Sequence, residues 1–172
     1  MATSGKNLSD YDLKKVPDGA PFLIGIVVSE WHSEITFNLL KGCEETLVKH
    51  GVKEDNIEVM FVPGAFELPV AALHLLQKKN LHAVITLGCV IQGETKHFDF
   101  VCEAVAHGVK DVSLKTGKPV IFGVLTDDTL QQSIDRSGGK HGNKGVDCAI
   151  AALKMASNFG GNKSSGTLGF KS

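Results

Sequence analysis

Four short apolar runs, each followed by a helical pattern, constrain the fold of this 172-residue chain most strongly. The first run, at residues 22–28, is continuous and rich in β-branched residues, which is typical of a parallel strand covered on both faces. The other runs lie at residues 57–62, 82–89 and 120–125. Such alternation predicts a four-stranded parallel sheet between two helical layers. Right-handed crossovers favour a three-layer, flavodoxin-like α/β sandwich with strand order 2-1-3-4.

The helical patterns between the strands differ in length. In the first, apolar residues recur every four positions from Ile35 to Leu47, which predicts an amphipathic helix. Ser33 is its candidate N-cap and Gly51 its candidate C-cap. Further helices are predicted from the turn at 63–69 to about residue 80, from 97 or 98 to 115, from an N-cap cluster at 126–129 to 137, and from 146 to 159.

The length of the chain suits one domain. Residues 1–20 contain Ser, Gly, Asp and Pro with little periodicity and are predicted to form an N-terminal arm. Residues 21–159 form the predicted α/β domain, and the Gly/Ser-rich residues 160–172 a flexible tail. Because a four-stranded sheet has open edges, we expect association with other copies of the chain.

Composition excludes several classes of function. A net charge of -1 and a pI near 6.6 argue against nucleic acid as a partner, because phosphate backbones select basic patches. No apolar run reaches the roughly 20 residues that a membrane span needs, and the first ten residues contain no apolar signal region. We therefore expect a cytoplasmic protein without membrane contact. The four cysteines are widely spaced, which predicts reduced, mostly buried thiols and neither disulfides nor a metal site.

The stretch at 88–97, Gly-Cys-Val-Ile-Gln-Gly-Glu-Thr-Lys-His, has the pattern of an anion site. An apolar strand runs there into a polar turn around Gly93 and then into a helix, whose unpaired N-terminal amides attract negative charge. His97 follows on the first turn of that helix. Histidine titrates near neutral pH, so it could transfer a proton to a bound ligand. Capping or packing is the alternative role for His97.

Other candidate residues also follow predicted strands, where ligands bind in open α/β sheets. Trp31 could stack on a planar heterocycle, or it could fill the loop or a subunit contact. Glu67 could accept hydrogen bonds from hydroxyl groups, or it could cap the following helix. Arg136 has a guanidinium suited to bidentate phosphate binding, although exposed arginines mostly have no specific role. Cys89 at a strand end is interpreted as a packing residue whose main chain matters.

These motifs, taken in their order along the chain, resemble those of the 6,7-dimethyl-8-ribityllumazine synthase family, which catalyses the penultimate step of riboflavin synthesis. The resemblance covers residues 22–159. It rests on SEW at 29–31, VPGAFEL at 62–68, GCVIQGETKHFD at 88–99, FGVLT at 122–126, DRSGGK at 135–140 and GNKG at 142–145. The chain departs from the usual family pattern at His32, where Asn is usual, and at Asp147, where Glu is usual.

The resemblance implies a transferase that condenses 5-amino-6-(D-ribitylamino)uracil with 3,4-dihydroxy-2-butanone 4-phosphate and releases phosphate and water. It implies no cofactor and no metal. By this resemblance Trp31 stacks on the pyrimidine ring, Ala65, Phe66 and Glu67 bind the ribityl chain and the ring edge, and Cys89, Val90, Ile91 and a neighbouring subunit's Phe122 bind the ring through their main chains. The resemblance implies that the phosphate is bound by the N–H of Glu94, by Thr95 and by a neighbour's Arg136. It implies that His97 is the proton donor.

The resemblance also implies a homo-oligomer. The family forms pentamers, which in some members close into icosahedral shells of twelve pentamers. Residues 137–145 lack the extra residues associated with members that stop at pentamers, which favours a shell of 60 subunits, and a pentamer is the alternative. Two other functions fit the pattern: a flavin- or nucleotide-binding module of flavodoxin type without catalysis, and a purely structural shell. A binding module would not need His97 beside an anion site.

Overall fold

A computed structural model describes residues 7–160 of the chain. Its centre is a four-stranded parallel sheet with the order β2-β1-β3-β4, which confirms the predicted fold and strand order. The strands are β1 (Ile24–Ser29), β2 (Ile57–Val62), β3 (Ala83–Ile91) and β4 (Val120–Asp127). In register, Ile24 of β1 lies between Ile57 of β2 and Ala83 of β3, and every pairing in this sheet is parallel.

Helices connect the strands and cover both faces of the sheet. They are α1 (Ser33–Lys49), α2 (Leu68–Lys78), α3 (His97–Thr116), α4 (Leu130–Arg136) and α5 (Lys144–Gly160). Alternate side chains of β1 point to opposite faces. Ile26 packs with Leu39 of α1 and Leu153 of α5, whereas Val27 packs with Leu68 of α2 and Val109 of α3. Two apolar cores therefore fix the sheet between the helical layers.

The glycine-rich segment after α4 contains a small two-stranded ribbon. Strands β5 (Ser137–Gly139) and β6 (Gly142–Asn143) pair antiparallel. Gly138 and Gly142 have φ angles of 124° and 81°, which L-residues with a Cβ rarely adopt. The glycines of this segment thus permit the tight reversal that leads into α5.

The described part of the N-terminal arm lies against the domain. The N–H of Leu8 donates to the carbonyl of His141 at 2.7 Å, and the N–H of Gly19 donates to the carbonyl of His50 at 2.7 Å. The predicted tail at 160–172 falls outside the described residues except for Gly160. The division of the chain into arm, domain and tail stays a prediction.

Candidate active site at the carboxyl ends of the strands

A pocket of about 350 Å³ lies beyond the carboxyl ends of β1, β2 and β3. Three consecutive strand-to-helix connections build it, as expected for an open parallel sheet. Its lining residues are Trp31, His32, Gly64, Ala65, Phe66, Cys89, Val90, Ile91, Gly93, Thr95, His97, Phe98 and Val101.

Main-chain hydrogen bonds hold the first connection against the second. The N–H of Glu30 donates to the carbonyl of Val62 at 2.8 Å, and the N–H of Trp31 donates to the carbonyl of Pro63 at 3.1 Å. His32 follows with φ 59° and ψ 49°, the left-handed conformation that reverses the chain into α1. The side chain of Trp31 is 69% exposed, so its indole face is open to a ligand.

The second connection is a short 3-10 turn, Ala65–Glu67, before α2. Oε2 of Glu67 accepts a hydrogen bond from the N–H of Gly64 at 3.0 Å, which is the capping role weighed for this residue. Pro69 stands in the first turn of α2, where its missing N–H costs no hydrogen bond. Ala65 and Phe66 line the pocket, whereas Glu67 is outside its lining.

The third connection brings the predicted anion site to the pocket. Gly93, Thr95 and His97 all line it, and His97 is the first residue of the 20-residue helix α3. The N–H of His97 lies 3.4 Å from Oγ1 of Thr95. The positive end of the α3 dipole therefore lies at the pocket wall, where it favours an anionic group.

The thiol of Cys89 faces the buried side of the pocket wall. The pKa of Cys89 is raised to about 11, and burial is the largest cause. A hydrogen bond with Ser133 acts in the opposite direction, and the nearby carboxylates of Asp127 and Glu34 raise the pKa further. Sγ of Cys89 lies 3.4 Å from Oγ of Ser133 on α4. At neutral pH this thiol is protonated, so Cys89 shapes the pocket and is not an activated nucleophile.

Four of the predicted site residues are not among those that line the pocket: Glu67, Glu94, Phe122 and Arg136. Phe122 lies on the edge strand β4 with 37% of its surface exposed. Arg136 ends α4, where its Nη1 donates to the carbonyl of Gln132 at 2.9 Å and lies 3.7 Å from Oδ1 of Asp127. Asp147, noted as a departure from the family pattern, pairs with Lys144 at 2.5 Å.

Sequence reasoning missed several pocket residues: His32, Gly64, Phe98 and Val101. His32, noted above as a departure from the family pattern, directly follows Trp31. Its left-handed φ explains why His can replace the usual Asn, because both residue types are enriched in that conformation. Phe98 and Val101 belong to the apolar pattern of α3, and their position in its first two turns was the signal for a pocket role.

In the described part of the chain, no three His, Cys, Asp or Glu side chains are grouped so that they could hold a metal ion. No helix between residues 7 and 160 combines the length and apolar character that crossing a membrane requires.

Comparison with known proteins places the chain in a family. The sequence profile described as 6,7-dimethyl-8-ribityllumazine synthase matches residues 21–159. Among proteins of that name, the one from Flavobacterium johnsoniae is 57% identical over 156 residues, which are 91% of this chain and 82% of the relative. Those from Cytophaga hutchinsonii and Parabacteroides distasonis are 55% and 54% identical over 90% of this chain and 97% of each relative. The chain therefore belongs to the 6,7-dimethyl-8-ribityllumazine synthase family.

Proposed function

We propose that the pocket beyond β1, β2 and β3 is where this chain carries out the reaction of its family. That reaction condenses 5-amino-6-(D-ribitylamino)uracil with 3,4-dihydroxy-2-butanone 4-phosphate and releases phosphate and water. The chain is a transferase of riboflavin biosynthesis. The observation that carries the proposed location is that one pocket contains an open indole, the end of β3 beyond its last pairing with β1 at Leu87, and a histidine at a helix N-terminus.

The pyrimidine binds between Trp31 and the end of β3. Trp31 lies at the pocket with its ring exposed, and a flat aromatic stacks well on a planar heterocycle. Cys89, Val90 and Ile91 line the same pocket, and their main-chain groups bind the ring edge. Stacking and edge recognition together fix the orientation of the ring.

The ribityl chain runs along the second connection. Ala65 and Phe66 line the pocket beside Gly64. Glu67 uses Oε2 to cap the turn, and a carboxylate has further acceptor capacity that suits a polyol hydroxyl. Glu67 thus both fixes the turn and accepts a hydrogen bond from the substrate.

The phosphate of the second substrate binds at the start of α3. Thr95 donates from its hydroxyl, and Glu94 contributes its main-chain N–H, because its carboxylate would repel the ligand. Both residues are exposed beside the α3 N-terminus. The position of this site next to His97 brings the leaving phosphate close to an acid-base group.

His97 transfers protons to and from the reacting groups. It is exposed at the pocket surface and begins α3. General acid-base catalysis of this kind contributes roughly 10² to 10⁴-fold. Holding two substrates in one pocket contributes as effective molarity, so His97 is not the only source of rate.

A neighbouring copy supplies Phe122 and Arg136, which makes the enzyme a homo-oligomer. Both residues lie outside the pocket of their own chain, and Phe122 is on an open sheet edge. A contact that uses two different surfaces of the chain closes into a ring when the rotation permits, which fits the pentamers of the family. We propose a shell of twelve such pentamers for this chain. Native mass measurement tests this, and a single species of five subunits at high concentration would contradict the shell.

The experiment that tests the proposed function mixes the protein with both substrates anaerobically and follows the fluorescence of the lumazine product. We expect His97→Ala to lower kcat by about 10² to 10⁴-fold while the assembly stays intact. His107→Ala, which changes a histidine elsewhere on α3, is the matched control and should keep the wild-type rate. Equal rates for wild type and His97→Ala would contradict the role of His97. The absence of wild-type product above the uncatalysed background would contradict the function.

A further inference from the structure

Asp127 forms a polar cluster at the base of the helix that carries Arg136. It is the last residue of β4, and its side chain is only 10% exposed. Its Oδ2 accepts a hydrogen bond from Oγ of Ser133 at 2.8 Å, and its Oδ1 lies 3.7 Å from Nη1 of Arg136. Burying a carboxylate is costly unless it is paired and hydrogen-bonded, and this one has both kinds of partner.

The same cluster fixes one edge of the guanidinium. Nη1 of Arg136 donates to the carbonyl of Gln132 at 2.9 Å and faces Asp127. The guanidinium is planar and rigid, so two contacts at one terminal nitrogen, together with the side-chain stem, restrict the orientation of the whole group. The remaining edge, formed by Nε and Nη2, has the fork geometry that binds two oxygens of a phosphate.

Helix α4 is itself anchored to the end of β4. Oε1 of Gln132 accepts from the N–H groups of Asp128 at 2.7 Å and Thr129 at 3.2 Å. Ser133 contacts Asp127 on β4 and the thiol of Cys89 on β3. Arg136 thus stands on a short helix whose orientation depends on buried contacts with two strands.

We propose that Asp127 is a positioning residue that orients Arg136 for the phosphate of the butanone substrate. The inference rests on the proposed phosphate role of Arg136. The 3.7 Å separation between Oδ1 and Nη1 is longer than a hydrogen bond, so the carboxylate orients the guanidinium without occupying its donors. Ser133 holds the carboxylate in place, and Asp127 acts only through Arg136.

The test is steady-state kinetics of the assembled enzyme with each substrate varied in turn, together with competitive inhibition by inorganic phosphate. We expect Asp127→Ala to raise the KM for the butanone phosphate and the inhibition constant of phosphate about tenfold, because a misplaced guanidinium loses its bidentate geometry. The KM for the pyrimidine and kcat should change by less than about twofold, since the side chain of Asp127 reaches Ser133 and Arg136, neither of which lines the pocket.

One further variant and one control sharpen the result. Asp127→Asn keeps an acceptor for Ser133 but loses the charge, so we expect an intermediate rise of about threefold in the KM for the butanone phosphate. If Asp127→Ala does not assemble, the KM of Asp127→Asn for the butanone phosphate tests the positioning role alone. Asp128→Asn removes the same charge at the adjacent, exposed position and should leave every constant unchanged.

The outcomes separate the inference from its premise. If Arg136→Ala raises the KM for the butanone phosphate and Asp127→Asn and Asp127→Ala do not, the positioning role is wrong and the phosphate role of Arg136 stands. If neither residue affects that KM, the phosphate role itself is wrong. A lower KM in Asp127→Asn would mean that the carboxylate repels phosphate, and this also overturns the inference.

Discussion

The thiol of Cys89 in the pocket wall lies 3.4 Å from the hydroxyl of Ser133 on α4. One residue belongs to the pocket of the chain, and the other belongs to the helix that presents Arg136. A single buried contact therefore connects the two surfaces that, in our proposal, serve two different active sites of the oligomer. In the proposed oligomer, one chain supports both surfaces and each active site is completed by two copies.

Trp31 should report directly on pyrimidine binding. It is the single tryptophan of the chain and lies at the pocket with its ring exposed. Stacking of the pyrimidine on the indole should quench the intrinsic fluorescence in a saturable way, and Trp31→Ala should raise the KM for the pyrimidine about tenfold. Titration with the pyrimidine alone measures the first effect. Binding that leaves the fluorescence unchanged would contradict the stacking role.

The cysteines should differ in reactivity toward a thiol reagent at pH 8. Burial raises the pKa of Cys89 to about 11 and that of Cys148 to about 12, and Cys43 is also buried. Cys102 is partly exposed, although burial raises the pKa of its thiol as well. We expect labelling at Cys102 first, identified by peptide mass analysis, and Cys102→Ser should remove this early phase. Early labelling of Cys89 would contradict its buried, protonated state.

Asp135 should make the folded chain sensitive to acid. A hydrogen bond from Lys140 lowers the pKa of Asp135, and a hydrogen bond from Gln131 lowers it further. A carboxyl with a lower pKa in the folded state stabilises the fold above its unfolded pKa, about 3.9, and this stabilisation is lost as the pH falls through the folded value. Denaturant midpoints between pH 6 and pH 3 should fall more steeply for wild type than for Asp135→Asn. Parallel curves would contradict this assignment.

Asn143 should contribute to stability rather than to catalysis. Its Oδ1 accepts from the N–H of Gly145 at 2.7 Å, and its Nδ2 donates to the carbonyl of Asn38 on α1 at 2.8 Å. Asn143→Ala leaves both main-chain groups without these partners and should lower the free energy of unfolding by about 1 to 3 kcal/mol. Asn38→Ala is the control, because that exposed side chain bonds only within its own helix. Equal stability of the two variants would contradict the role of Asn143.

The layered fold was predictable because it follows from local patterns. Continuous β-branched runs indicate buried parallel strands, and the spacing from Ile35 to Leu47 indicates a helix on one face. The strand ends were less predictable. β3 and β4 each extend two residues past the predicted strand ends, to Ile91 and Asp127, because main-chain pairing continues between Val90 and Thr126 and between Ile91 and Asp127.

The site was predictable where a motif lies on one connection and unpredictable where it depends on tertiary packing. Ser33 was predicted as the N-cap of α1, but His32 holds that position, because the turn after β1 requires a left-handed residue. The contacts that join Asp127, Ser133 and Cys89 link three separate elements. No spacing along the chain indicates such a cluster, since it exists only after β3, β4 and α4 have packed.

Subunit mixing tests most directly the central claim that His97 of one chain and Arg136 of another complete one active site. His97→Ala and Arg136→Ala assemblies are each dissociated, mixed in equal amounts and reassembled, and lumazine formation is followed. With the butanone phosphate held well below its KM, each variant alone should keep only a small residual rate, but about a quarter of the sites in the mixture combine an intact His97 with an intact Arg136 from the neighbour. We therefore predict recovery of roughly a quarter of the wild-type rate. A mixture as inactive as its parents, although native mass shows mixed oligomers, would mean that both residues act within one chain, and would contradict the claim.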